Sequence, residues 1–126
     1  MDYRVVDVES LEPEPDRPCE CRKLADAAGL SSVAINRFRA APGEQIPLAY
    51  HLHETQEEAF YVLSGTLTVE TPEQSYEVPS GDLFAVAPGN PQRAYNPADA
   101  TEDVVVLAIG APAVDGDAVP YDPDDA

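Results

Sequence analysis

The chain carries only two histidines, and they are placed as His51-Leu52-His53. In an extended strand, residues two apart project from the same face. Their Cα atoms would lie ~6.6 Å apart, close enough for both imidazoles to reach one ion. Glu58 opens the run Glu58-Ala59-Phe60-Tyr61-Val62-Leu63, which is aromatic and β-branched and reads as a strand. On that strand Glu58, Phe60 and Val62 share one face, while Ala59, Tyr61 and Leu63 share the other. If the histidine face and the Glu58 face both turn inward, two neutral nitrogens and one carboxylate meet in an apolar pocket. Such a set leaves open positions on a divalent metal ion and suits Fe, Mn, Ni or Zn. The plainer alternative is a polar histidine pair on a solvated strand face. Glu54 and Glu57 are read as solvated surface acids.

The elements that must position these groups are short strands divided by Pro and Gly. Strand patterns run over Val33 to Ala40, Ile46 to His53, Glu58 to Leu63, Thr66 to Glu70, Ser75 to Val78, Leu83 to Ala87, Gln92 to Asn96 and Asp103 to Ile109. Pro47 weakens the first half of the second of these. Seven or eight short, evenly spaced strands predict an all-β sandwich or barrel. Ahead of them, Tyr3 to Val8 alternates like a strand. Leu11 to Pro18 is a proline-bearing connector, and Cys19 to Leu30 is ambiguous, with a helical turn or two stopped by Gly29. After Gly110 the pattern ends, and the acidic tail is expected to be mobile or laid over the surface. The expected division is therefore an N-terminal strand and connector over 1–31, a barrel over 32–110 and a tail over 111–126.

Two stretches carry a family resemblance. Pro42 to Gly65, PGEQIPLAYHLHETQEEAFYVLSG, resembles the first motif of the cupin superfamily: a glycine, HxH, a glutamate after four residues and a glycine after six more. Gly81 to Asn96, GDLFAVAPGNPQRAYN, resembles its second motif. The resemblance implies a small single-domain cupin, a double-stranded β-helix (jelly-roll) barrel. It also implies metal ligation by His51, His53 and Glu58, with a small-molecule ligand and commonly a homodimer. Three departures stand out. Seven residues separate Gly43 from His51 where five are common. Ala87 replaces the proline of PxG. Gln92 replaces the second-motif histidine, itself usually a ligand. A glutamine can offer its amide oxygen, more weakly than an imidazole. Gln92 is thus expected to face inward as a fourth metal ligand or as a hydrogen-bond partner of the site, with Arg93 facing out.

Other chemistry is sparse. Cys19-x-Cys21 and His51-x-His53 do not have the spacing of a zinc finger, and the thiols read as ordinary. Arg37 and Arg39 share a strand face. Solvent or an acidic neighbour is the expected setting, and an inward setting would bind an anion. The motifs leave three readings open: a metal-dependent enzyme, a non-catalytic small-molecule binder, or a metal-free barrel scaffold. A hydrogen-bonded His51–Glu58 pair would mark the last.

The 126 residues suit one domain, and their charge is strongly one-sided: 24 Asp and Glu against 7 Lys and Arg, a net of -17. No Lys or Arg lies between Arg39 and Arg93. Phosphate binding needs clustered cations, so nucleic acid and anionic membranes are excluded as expected partners. The first eleven residues hold acids and no apolar segment, so no signal peptide is expected and the cytoplasm is the simplest compartment. The acid excess resembles that of cytoplasmic proteins from salt-in halophilic archaea, where molar salt shortens the Debye length to ~3 Å and screens self-repulsion. The melting temperature is accordingly expected to rise steeply between low and molar KCl in a thermal melt. A flat profile would contradict the halophilic reading.

Overall fold

The computed structural model describes residues 3–125; residues 1 and 2 of the N-terminal segment and 126 of the tail lie outside the described residues. Ten strands form. They are β1 (Glu20–Lys23), β2 (Ala34–Ala40), β3 (His51–His53), β4 (Glu57–Ser64), β5 (Thr66–Glu70), β6 (Ser75–Pro79), β7 (Leu83–Val86), β8 (Arg93–Tyr95), β9 (Val104–Ala111) and β10 (Ala118–Pro120). One short helix, α1 (Leu24–Ala28), ends at Gly29. The antiparallel sheets are β1-β2-β9-β4-β7, β6-β5-β8 and β10-β3. This is the all-β, double-stranded β-helix architecture expected from the motifs.

Alternation along the strands makes the core. Phe60 and Val62 on β4, Leu67 and Val69 on β5, and Val104 and Val106 on β9 are all buried. Each such side chain contributes roughly 1.5–3 kcal/mol through burial. Their neighbours Tyr61 and Leu63 face outward. Gly65 makes the turn from β4 to β5 with φ +77°, and a Cβ there would lie 2.5 Å from the Asp103 carbonyl oxygen. Only glycine fits that approach. Asn96 is buried and donates from Nδ2 to the carbonyls of Ala40 and Glu102. The asparagine of the second motif therefore ties the strand ends together.

Both chain ends depart from the sequence expectation. Tyr3 to Val8 forms no strand; Val8–Ser10 is a single 3-10 turn. The free edge of β2 is taken instead by β1, which places Cys21 opposite Phe38 in the core. Tyr3 and Val5, at 92% and 98% exposure, have no apolar surface to cover. The tail, read as mobile or merely laid over the surface, supplies β10, which pairs with β3 in the register Ala118↔His53 and Pro120↔His51. The short β3 has an otherwise open edge there, and backbone pairing needs no hydrophobic periodicity. Among the described residues no helix is long and apolar enough to cross a membrane.

Candidate metal centre

β3 is three residues long, so His51 and His53 are presented side by side. Their ring centroids lie 5.0 Å apart, edge to face. β10 pairs along one side of β3. On the other, His51 N–H donates to the Gln92 carbonyl (3.3 Å) and Gln92 N–H donates to the His51 carbonyl (2.9 Å). This two-bond bridge carries the second motif to the first. Gln92 is 2% exposed. The next residue, Arg93, turns outward to Glu70 and Gln45 and stacks on Tyr95. Glu58 arrives from β4, opposite Gly110 of β9. At Gly110 the terminal amide of the Gln56 side chain lies where a Cβ would project, at 2.5 Å, so a larger residue there would have to displace it.

One donor atom each from His51, His53 and Glu58 lies within 4.8 Å of the others. That spacing suits a single divalent ion bound by two nitrogens and an oxygen. The surrounding chemistry agrees. His51 Nδ1 is 2.9 Å from the Ala49 carbonyl oxygen, which can only accept, so Nδ1 carries the proton and Nε2 keeps its lone pair. Burial holds the His51 imidazole below its ordinary pKa of 6.5, in the neutral form a metal needs. His53 Nε2 lies 3.8 Å from Glu58 Oε1. Burial pushes the Glu58 carboxyl up to about 7. Gln92 Nε2 donates to Glu58 Oε1 at 3.0 Å, while its amide oxygen is buried without a partner. In this arrangement Gln92 steadies the Glu58 carboxyl group, and its amide oxygen is left free to accept. These groups sit at a cavity of about 340 Å³ walled also by Phe38, Ile46 and Phe60.

The remaining candidates stand apart from this centre. Cys19 and Cys21 are buried free thiols, and burial drives the Cys19 thiol up to about 12, away from the thiolate a metal would need. Arg37 pairs with Glu9, and Arg39 lies near Glu20 and Asp103, so that face is the acidic outer one. Glu54 and Glu57 are exposed.

The family model of the cupin domain matches residues 36–110. The chain belongs to the cupins. This cupin is similar in structure to a proposed sugar phosphate isomerase from Acidithiobacillus ferrooxidans, with 33% identity over 75% of this chain and a TM-score of 0.67. It covers 60% of that protein's length. It is also similar to a sugar phosphate isomerase of the cupin superfamily from Silicibacter pomeroyi, at 26% identity, with 87% of this chain and 76% of that one covered and a TM-score of 0.75. The polyketide cyclase RemF from Streptomyces resistomycificus shares the fold alone, at 18% identity, 95% and 86% coverage and a TM-score of 0.76. A search of curated proteins finds no match.

One residue of the cupin's centre was invisible in the sequence. Asp117, just ahead of β10, is buried and accepts hydrogen bonds from the backbone of Thr55 and Gln56 and from the Thr55 hydroxyl. Those bonds, the Thr55 hydroxyl foremost, hold its carboxyl below the usual carboxylate range. Its Oδ2 is 3.4 Å from His53 Nδ1, an otherwise unpartnered buried nitrogen. The carboxylate favours the tautomer with the proton on Nδ1, leaving Nε2 to face Glu58. Nothing in a tail of many acids distinguishes Asp117 by pattern. The one available signal is its place in the Asp-Gly-Asp turn before an apolar residue pair.

Two outcomes follow from this geometry. Replacing Asp117 by Asn is expected to weaken divalent-metal binding roughly ten- to a hundredfold, measured by calorimetric titration. The second concerns pH. Protons and metal compete for Glu58, so affinity is expected to climb as pH rises to about 7 and then to level. Without metal the sign reverses for folding. The native state keeps the proton between the ordinary 4.5 and about 7, where the unfolded chain has lost it, so this group's contribution to stability falls across that window. Metal titrations and thermal melts on either side of that window check both signs.

Proposed function

We propose that this cupin holds a divalent metal ion through His51, His53 and Glu58, with Gln92 beside it, and acts on a small oxygenated metabolite in the barrel cavity. The observation that carries the reading is the convergence of the three donor atoms within 4.8 Å at the cavity wall. The Glu58 carboxylate bonds Gln92 rather than His51, which disfavours a metal-free scaffold held by a His51–Glu58 pair. Fe, Mn, Ni and Zn all suit the donor set. A bound ion would supply Lewis acidity toward a carbonyl or enolate oxygen. The chain's own residues orient the donors, keep His51 neutral and give the ligand an apolar wall that excludes water. The sugar phosphate isomerase names of two structural relatives favour a hydroxy-carbonyl compound as that metabolite.

A non-catalytic binder is the second reading. Among the described residues, the only ionisable side chain lining the cavity besides His51, His53 and Glu58 is Arg17, which stays charged and does not carry protons. The outer face adds a homodimer to the proposal. Tyr61, Leu63 and Leu83 are exposed there, with Tyr61 directly opposite Leu83 where β4 meets the edge strand β7. A cytoplasmic location in a high-salt cell completes the reading and rests on the acid excess.

Elemental analysis of the purified protein is expected to find near-stoichiometric transition metal, with most of it lost in His51→Ala. Equal metal content in the two proteins would remove the metal reading.

A further inference from the structure

Among the described residues, Arg17 is the one arginine or lysine on the cavity wall. It comes from the proline-bearing connector, outside the span matched by the cupin domain. Arg4 bonds the Ala27 carbonyl on the exposed surface, while the four arginines on the strands, Arg22, Arg37, Arg39 and Arg93, each have a carboxylate within 4.0 Å. Arg17 has none among the described residues, although the chain holds 24 acids. Its guanidinium lies over the Phe38 ring, 5.6 Å from the centroid. One Nη2 reaches the Ile46 carbonyl at a long 3.5 Å, and Nε is buried without any partner.

That is an expensive arrangement for a guanidinium. An always-charged group is set half-buried against an apolar wall, with its Nε donor unused and Nη2 making only a long contact. A half-buried charge with an unused donor is stabilised further when an anion joins it. The apolar surroundings would strengthen such a pair relative to one in water.

We propose that Arg17 anchors the anionic end of the cavity's ligand, and that this end is a carboxylate. The cavity ligand is then a small carboxylic acid with an apolar or oxygenated body, its charge at Arg17 and the rest of it reaching toward the histidines. A single planar fork matches the two oxygens of one carboxylate. A phosphate dianion would need further side-chain donors, and no other arginine or lysine among the described residues lines the cavity. The inference rests on the reading of this cavity as a ligand site and requires no metal for its charge recognition.

The test uses the full chain and three probes of equal body: hexanoate, hexanamide and hexyl phosphate, titrated calorimetrically against wild type, Arg17→Gln and His51→Ala. Wild type is expected to bind hexanoate at least about tenfold more tightly than hexanamide, as a charge-assisted pair should. Arg17→Gln is expected to bring the two within about twofold. His51→Ala, depleted of metal, is expected to keep the preference, which separates this inference from the metal reading. Arg17→Lys is titrated alongside in case Arg17→Gln does not fold; it keeps the charge without the fork and is expected to lose most of the preference. A preference that survives at Arg17→Gln but vanishes at His51→Ala would place the carboxylate on the metal and overturn the assignment. So would an equal affinity for hexanoate and hexanamide in wild type, or an Arg17-dependent preference for hexyl phosphate.

Discussion

Two backbone hydrogen bonds between His51 and Gln92 hold the centre together. β3 is too short to fix its own direction, and its histidines would wander if only one edge were held. The bridge to Gln92 on one side and β10 on the other clamp it. With the backbone pinned, period-two geometry does the rest. His51 and His53 must share a face, Gln92 must turn inward beside them, and Glu58 meets them from the adjacent strand. Fixed donors cost little to reorganise when an ion arrives, which is the general requirement for a tight, selective site.

The electrostatics of the centre follow from its burial. The same apolar walls keep His51 neutral and hold a proton on Glu58 to about 7. Carboxylate and imidazole are thus each biased toward the uncharged form, and the pocket is left short of negative charge in a protein that has a large surplus elsewhere. A cation bound to Glu58 relieves the desolvation that raised its pKa. Most acids crowd the outer surface, where water and salt screen them, and the buried centre holds Glu58 and Asp117 beside a few well-aimed nitrogens.

Much of this was legible in the residues. Alternation along Glu58–Leu63 and Thr66–Glu70 marks the strands, and the HxH spacing with its following glutamate marks the convergence of the trio. The parts that could not be read are those fixed by partners distant in sequence. Tyr3–Val8 alternates as well as a true strand does, but the edge it would need belongs to Glu20–Lys23, and only three-dimensional competition decides that. Ala118–Pro120 shows no pattern because it is bound by backbone pairing. Asp117 and Arg17 owe their roles to what they lie against, and neither type nor spacing encodes a neighbour 62 or even 29 residues away.

The tail strand has a consequence for how such a barrel could diversify. The segment that defines the family, residues 36–110, contains all three donors, but Asp117, which lies against His53, and Arg17, which lines the same cavity, come from outside it. The shell and its chelating trio form one inheritable unit, while the termini act as exchangeable tailoring. A sister barrel with different ends could keep the same ion and accept a different molecule, so kinship measured across the barrel alone says little about diet.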